Sequence, residues 1–143
     1  KIFTGFHIVR ALALGADATY SARAMMLALG CIQALECNKN SCPTGVATQD
    51  PELVAGLVVS DKKKRVANFH RKTVESLMEL LAAAGLRSPE EIRRHHIFRR
   101  TSLNEVRRYS EIFPYLQPGC LLQEDSVPQD WKMEWQLASA ERF

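Results

Sequence analysis

The sequence predicts an α/β chain with two short strand–helix units at its N-terminus and a mostly helical extension after them. Over the first 30 residues, short apolar segments alternate with helical patterns, a spacing typical of βα units that build a parallel sheet. Beyond residue 50 the apolar residues recur at intervals of three and four, with capping residues at the ends of the periodic segments. This second pattern predicts helices and no further strands.

The first unit begins with a strand at Ile2-Phe3, which runs into a turn at Thr4-Gly5. The next segment, FHIVRALALGAD, predicts a helix that Gly15 ends, because glycine adopts the left-handed conformation that closes many helices. The second unit has a strand over DATY (17–20) and a helix over ARAMMLALG (22–30). The predicted buried positions of the first helix are Ile8, Val9, Leu12 and Leu14.

The extension begins at Asp50, a good N-cap, followed by Pro51 at the first helical position. Asp61 is expected to cap a long helix that Gly85 closes. The predicted buried face of this helix consists of Val66, Phe69, Val74, Leu77, Leu80, Leu81 and Ala84.

Two capping-box patterns, Ser88 with Glu91 and Ser102 with Glu105, each predict the start of another short helix. Residues 114–128 are expected to form a loop. A last helix is expected over DWKMEWQLASAERF (130–143), with its two tryptophans one turn apart and packed against the domain or a partner subunit.

Composition excludes several classes of protein. The 143 residues are 46% hydrophobic and 24% charged, as in an ordinary globular protein. The net charge of +3 is too small to indicate nucleic-acid binding, and no apolar run is long enough to span a membrane. No secretory signal is visible either, so we expect a cytoplasmic protein. The chain opens on Lys1 without an initiator Met, which suggests a fragment of a longer protein.

Three of the four cysteines lie in one segment, GCIQALECNKNSCPTGVATQ (30–49). They are Cys31, Cys37 and Cys42, in the spacing C-x5-C-x4-C followed by Pro43. Because cytosolic thiols stay reduced, such a cluster favours metal or redox chemistry over disulfides.

The alternatives for this cluster differ in the ligands that they need. Structural zinc takes four ligands, often from C-x2-C pairs, but here there are three sulfurs and the nearest histidine is His70. A disulfide framework leaves one thiol unpaired unless Cys120 joins. An iron–sulfur cluster with three irons needs one thiolate for each iron, and Asn38, Asn40, Ser41 and backbone amides are candidate donors to its sulfurs. From the spacing alone, an iron–sulfur cluster, a zinc site and a disulfide framework all stay open.

The stretch from KIFTGF through TQDPEL resembles the C-terminal end of the synthase domain of glutamate synthases, the FMN-dependent iron–sulfur barrel enzymes. It is most similar to the shorter glutamate-synthase-like proteins. The family motif C-x5-C-x4-C-P-x-G-x-x-x-Q-D is matched at Cys31, Cys37, Cys42, Pro43, Gly45, Gln49 and Asp50. The resemblance covers residues 1–122, and the tail from Gln123 has no counterpart in it.

The resemblance implies the last two βα units of a (β/α)8 TIM-type barrel in residues 1–49, a helical extension over 50–122 and a tail over 123–143. Cys31, Cys37 and Cys42 would bind a [3Fe–4S] cluster. The FMN phosphate would contact the backbone around Lys1 and, after strand eight, Ser21, Ala22 and Arg23. The family often has Gly-Thr where this chain has Ala22-Arg23.

The implied reaction is the reductive amination of 2-oxoglutarate to L-glutamate. FMN would reduce the 2-iminoglutarate formed from 2-oxoglutarate and ammonia, which glutamine can supply, and the cluster would relay electrons from ferredoxin or an NAD(P)H-oxidising subunit. No catalytic acid or base is assigned, because the first six strands are not in this sequence. There are two alternatives to a glutamate synthase. One is a related barrel enzyme such as N-methylglutamate synthase, and the other is a non-catalytic module that binds an iron–sulfur cluster or zinc.

The remaining features are expected to be ordinary surface. The basic runs KKKR (62–65) and RRHHIFRR (93–100) are expected to be solvated or packed on the barrel, with docking of an acidic electron carrier as the lesser alternative. His95-His96 is expected at the surface, and Cys120 as an isolated thiol.

Overall fold

The computed structural model describes residues 1–141. Six α-helices lie in this part of the chain: α1 (Gly5–Ala13), α2 (Arg23–Leu29), α3 (Pro51–Val54), α4 (Val59–Ala83), α5 (Tyr109–Ile112) and α6 (Lys132–Leu137). Strands β1 (Phe98–Arg100) and β2 (Val106–Arg108) form an antiparallel hairpin. Single turns of 3₁₀ helix lie at Pro89–Glu91, Arg94–His96, Glu124–Ser126 and Gln129–Trp131.

The long helix α4 is the centre of the fold, because both α1 and α2 pack against it. The backbones of α1 and α4 nearly touch at Gly5, where an added Cβ would lie 2.5 Å from the backbone nitrogen of Leu77. The buried core consists of Ala13, Leu77, Leu81, Ile92, Ile97 and Tyr109. Ile8, Val9 and Leu12 of α1 pack on it as predicted, but Leu14 follows the end of the helix and is 37% exposed.

Most of the predicted helix ends are confirmed. Gly15 follows the end of α1 with φ 107°, as predicted, whereas Thr4, predicted only as part of a turn, caps the start of α1 by accepting from the His7 N–H. Asp50 caps α3 by accepting from the Glu52 N–H at 2.9 Å. Gly85 follows the end of α4 with φ 73°.

The start of α4 is three residues earlier than the sequence predicts. Val58 is the cap residue, and its carbonyl accepts from the N–H groups of Asp61 and Lys62. Asp61 therefore lies in the first turn, where a carboxylate favours the helix dipole, and it does not cap the helix. Of the predicted buried face, Leu77 and Leu81 are buried, whereas Val74 is exposed.

The two predicted N-terminal strands are not formed within residues 1–141. Neither Ile2-Phe3 nor residues 17–20 pair with another strand within the described chain. A strand is held by hydrogen bonds to a neighbouring strand, and residues 1–141 supply no neighbour to either segment. The two segments are nevertheless connected, because the Ser21 hydroxyl donates to the Ile2 carbonyl at 2.9 Å.

The helix predicted from Ser102 and Glu105 is wrong, because this segment is the turn between β1 and β2. The Thr101 N–H donates to the Glu105 carbonyl at 3.0 Å, and the Glu105 carboxylate accepts from the Thr101 hydroxyl at 2.8 Å. The side chain needed for a capping box is therefore used to close the hairpin.

The other capping box is partly confirmed. Ser88 accepts from the Glu90 N–H at 3.2 Å, but the helix that follows is one 3₁₀ turn. The Glu91 carboxylate accepts from the Arg87 N–H at 3.3 Å rather than from that of Ser88.

The C-terminal helix is shorter than predicted, since α6 ends at Leu137. The predicted residues 142 and 143 lie outside the described chain. Trp131 and Trp135 are 47% and 40% exposed, so the predicted packing of this stripe is not made within residues 1–141. None of the helices in this range has both the length and the apolar character that crossing a bilayer requires.

Candidate functional site

The cysteine segment connects the end of α2 to the start of α3 as an irregular loop. Gln33, Leu35 and Asn40 adopt left-handed backbone conformations with φ near 60°, which L-residues rarely do. Asn40 connects the middle of the loop to its C-terminal end: its carbonyl accepts from the Thr48 hydroxyl, and its side-chain Oδ1 accepts from the Gln49 N–H, each at 2.6 Å. The loop is therefore held by its own polar side chains.

Two of the polar residues predicted to donate to the sulfurs also hold the loop itself. The Ser41 hydroxyl donates to the Glu36 carboxylate at 2.9 Å, and Asn40 braces the loop. Within residues 1–141, Asn38 makes no hydrogen bond to a cysteine sulfur. The Ser41 hydroxyl is thus engaged by a carboxylate, whereas the side-chain N–H groups of Asn38 and Asn40 donate to no protein group within residues 1–141, so donation by these residues to a cluster stays a prediction.

Two of the cysteine sulfurs have a hydrogen-bond partner two residues further along the chain. The Gln33 N–H donates to Cys31 Sγ at 3.4 Å, and the Thr44 hydroxyl lies 3.4 Å from Cys42 Sγ. The hydrogen bond from the Thr44 side chain, with backbone N–H groups of Ala47, Thr44 and Val46, lowers the pKa of Cys42 from 9.0 to about 7, while burial opposes this shift. A lower pKa favours the thiolate, which is the form that binds metals.

Gly45 fixes the position of the loop against α3. Its φ is 73°, and a Cβ at this position would lie 2.3 Å from the Leu53 carbonyl oxygen. Only glycine combines this conformation with such a close approach of two backbones. Because Gly45 is three residues from Cys42, the contact also positions that sulfur.

A cavity of about 240 Å³ brings together residues that the sequence analysis placed in two different sites. Ala22 and Arg23, predicted at the FMN phosphate, line it together with Cys31 and Cys37 of the predicted cluster. The other lining residues are Met26, Gln33 and Leu35. The buried Cys42 is not among the lining residues. Two of the three predicted cluster ligands thus share one hollow with the start of α2.

The other predicted phosphate contacts lie next to this hollow. Ser21 precedes Ala22 and its hydroxyl donates to the Ile2 carbonyl, which holds the N-terminal loop beside the start of α2. Lys1 is exposed on that loop. The four predicted residues therefore lie on two loops joined by a hydrogen bond.

The three thiols do not surround a single ion. Within the described residues, no three His, Cys, Asp or Glu side chains are arranged to hold one metal ion. A three-iron cluster places each thiolate on a different iron, so it needs three sulfurs spread around a larger group. All four cysteines are free, and Cys120 is buried outside this loop.

The apolar part of the cavity has no clear signal in the sequence. Met26 and Leu35 carry no motif, and only the helical position of Met26 beside Arg23 could have suggested it. Thr44 could have been found, since a hydroxyl two residues after a cysteine is well placed to reach its sulfur.

The basic runs and the histidine pair are not part of this cavity. Lys62 lies in a groove between α2 and α4, with its side chain only 19% exposed, while Lys63, Lys64 and Arg65 are exposed. His95 is exposed as predicted, but His96 is partly buried and its Nδ1 accepts from the Arg93 N–H at 2.9 Å.

Comparison with known proteins places the chain in a family. A family model described as the conserved region in glutamate synthase matches residues 1–87. The glutamate synthase large subunit-like protein YerD of Bacillus subtilis is 47% identical over 97 residues, covering 68% of this chain and 18% of that protein. The archaeal glutamate synthase (NADPH) of Methanocaldococcus jannaschii is 44% identical over 86 residues, covering 60% of this chain and 17% of that protein.

A more distant relative aligns with almost the whole chain. The glutamate synthase (NADH) of Saccharomyces cerevisiae is 30% identical over 145 residues, covering 96% of this chain but 7% of that protein. The chain thus spans less than a fifth of the length of these relatives. No solved structure matches it at comparable significance. By the extent of the family match and the identity to these relatives, the chain belongs to the glutamate synthase family.

Proposed function

We propose that this chain contributes the C-terminal end of a (β/α)8 barrel to a glutamate-synthase-type oxidoreductase. The whole protein would convert 2-oxoglutarate to L-glutamate by reductive amination, using FMN and a [3Fe–4S] cluster. Membership of the family supports the reaction class. The observation that carries the proposal is the shared cavity of Ala22, Arg23, Cys31 and Cys37.

This cavity matters because electron transfer requires two redox groups to lie close together. If the phosphate end of FMN is held at the start of α2 and the cluster at the cysteine loop, both groups border the same hollow. Met26 and Leu35 would give the space between the two groups an apolar lining. Bound FMN and the cluster would supply the electron transfer itself, which the side chains of this chain do not perform.

The cysteine loop has the chemistry that a cluster needs. Cys31, Cys37 and Cys42 would each bind one iron. The Gln33 N–H and the Thr44 hydroxyl stabilise negative charge on two of the sulfurs, and the pKa of Cys42, lowered to about 7, keeps much of that thiol ionised at neutral pH. Hydrogen bonds of this kind raise the potential at which an iron–sulfur centre accepts an electron, because they favour its more negative state.

The phosphate of FMN would be held by two loops. Backbone N–H groups around Lys1 and at Ser21, Ala22 and Arg23 would donate to it, and the Arg23 guanidinium would add a positive charge. The Ser21–Ile2 hydrogen bond, at 2.9 Å, keeps these loops together. Because the isoalloxazine ring would lie over barrel strands outside this sequence, we expect the 143-residue chain alone to lose FMN during purification.

The proposal is tested by assaying the full-length protein that contains this chain, purified without oxygen. With dithionite-reduced methyl viologen as electron donor, L-glutamate should form only when both 2-oxoglutarate and either ammonia or glutamine are present. Cys37→Ser should abolish the reaction, whereas Cys120→Ser should not. Failure to form glutamate from these substrates in a protein that contains both flavin and iron would show that the proposed reaction is wrong.

A further inference from the structure

Positive charge is concentrated in residues 93–108, the segment that contains the β-hairpin. It holds six arginines and one glutamate, a formal charge of +5, whereas the whole chain carries +3. The remaining residues are therefore net negative by 2. Such a concentration creates a local field that attracts an acidic surface.

Within the hairpin, Arg99 stands directly opposite Arg107 in the antiparallel register. Like charges in this position repel each other. Arg107 is partly neutralised, since it lies 3.9 Å from Glu105 and 3.6 Å from Glu111. Arg99 has no corresponding carboxylate among residues 1–141, so its charge is available to a partner.

The other two strand arginines are engaged by neutral groups. Arg100 donates to the Leu103 carbonyl at 2.8 Å, and the Arg108 guanidinium lies over the Phe98 ring at 5.4 Å. The Arg99 side chain makes no hydrogen bond or cation–π contact within the described chain. The hairpin also exposes three apolar side chains, Phe98, Val106 and Leu103, the last of which is 89% exposed. Arginine mixed with exposed apolar groups is typical of protein–protein interfaces.

Residues 122–137, which comprise Leu122 and most of the C-terminal tail, have the complementary character. They hold four acidic residues against one lysine, namely Glu124, Asp125, Asp130 and Glu134 against Lys132. Their exposed apolar side chains are Leu122, Trp131, Met133, Trp135 and Leu137. No ion pair within residues 1–141 joins this tail to the hairpin.

The tail also contains a hollow of about 150 Å³ with the chemistry that binds a guanidinium. Glu124, Asp125 and Trp135 line it, together with Val127, Gln136 and Lys132. A guanidinium can pair with the carboxylates and stack on the indole ring, which an ammonium does less well. Lys132 is the one cation of this hollow, and it would have to turn outward when an arginine enters.

We propose that the hairpin of one copy of this chain binds the tail of a second copy, with Arg99 seated between Glu124, Asp125 and Trp135. A two-fold arrangement would form this contact twice, since each copy offers one hairpin and one tail. Nucleic acid fits the hairpin less well, because its only aromatic ring is Phe98, over which Arg108 already lies.

Two variants with reversed charge, made in the full-length protein that contains this chain and compared with that protein unchanged, test this pairing by sedimentation equilibrium. Arg99→Glu places a carboxylate against the acidic hollow, and the double variant Glu124→Lys with Asp125→Lys places two ammonium groups against Arg99. The unchanged protein should dimerise, and each variant alone should dimerise more than about tenfold more weakly. A 1:1 mixture of the two variants should recover the dimer, because both of its contacts then join opposite charges.

The control is Arg87→Glu, which makes the same charge change at an exposed site away from the hairpin. It should dimerise like the unchanged protein, and far-UV circular dichroism should show that each variant keeps its helices. High salt should dissociate the unchanged dimer, since exposed charge pairs are screened. A monomeric unchanged protein, a salt-insensitive dimer, no recovery in the mixture, or salt-sensitive binding of an RNA homopolymer that Arg99→Glu abolishes, would each overturn the proposal.

Discussion

The Arg94 guanidinium joins two ends of the fold that are far apart in sequence: its Nη2 donates to the carbonyl of Leu14, 80 residues earlier, at 3.3 Å. Its Nη1 donates to the Phe113 carbonyl at 2.6 Å and to that of Pro114 at 2.8 Å, and the group lies 3.9 Å from the centre of the Tyr115 ring. One side chain therefore holds the end of α1 against the segment that follows α5.

The first prediction follows from this contact. Arg94→Ala should lower the free energy of unfolding by about 2 kcal/mol, because three carbonyls lose a charged donor. Arg94→Lys should recover only part of this loss, since an ammonium cannot reach carbonyls on both sides as the planar guanidinium does. Urea titration measures the change. An effect of Arg94→Ala no larger than that of Arg87→Ala, at an exposed site, would contradict this role.

The second prediction concerns the close approach at Gly45. Gly45→Ala should destabilise the chain by more than about 1 kcal/mol, because it adds both an unfavourable positive φ and a clash with the Leu53 carbonyl. The matched control is Gly85→Ala, which has the same φ of 73° but no atom within 4 Å of the added Cβ. Thermal melting compares the two, and equal effects would show that the clash is relieved without cost.

The third prediction concerns His96. Partial burial, and then the positive charges of His95 and Arg93, lower its pKa below the usual 6.5. As pH falls through 6.5, the unfolded chain binds a proton that the folded chain resists, so folding stability should fall over this range. His96→Gln keeps an acceptor for the Arg93 N–H and should lose less stability between about pH 7 and about pH 5. A His96 ring that titrates at or above 6.5 by NMR would contradict this prediction.

The fourth prediction tests the phosphate site in the full-length protein. Ala22→Glu should weaken the binding of FMN, because it places a negative charge beside the phosphate. Ala82→Glu, on the exposed side of α4, makes the same change elsewhere and should leave FMN binding unaltered. Flavin absorbance after gel filtration measures retention. Equal retention in both variants would mean that the phosphate lies elsewhere.

The helices could be predicted from the sequence better than the strands. Capping residues and left-handed glycines act locally, so Gly15, Asp50 and Gly85 mark helix ends in the sequence as they do in the structure. Strand pairing depends on a distant partner. The sequence pattern at Ile2-Phe3 could not show whether a partner is present, and Ser102 and Glu105 fit a capping box equally well as a hairpin turn.

The candidate site likewise has one part that could be predicted from the sequence and one part that could not. The three cysteines and Gly45 are visible as a motif, since spacing along the chain is what a loop of ligands requires. The cavity that joins Cys31 to Ala22 is not visible, because it depends on how the loop folds back over the start of α2. Likewise the contact between Arg94 and Leu14 has no local signal.

The central claim is that Cys31, Cys37 and Cys42 together hold a [3Fe–4S] cluster. The most direct measurement is the iron and acid-labile sulfide content of the full-length protein purified without oxygen, together with its electron paramagnetic resonance spectrum. We predict about three irons per chain and the signal of an oxidised three-iron cluster, lost in Cys31→Ser, Cys37→Ser and Cys42→Ser but kept in Cys120→Ser. Stoichiometric zinc with no iron, or an unchanged cluster after loss of any of these three cysteines, would contradict the claim.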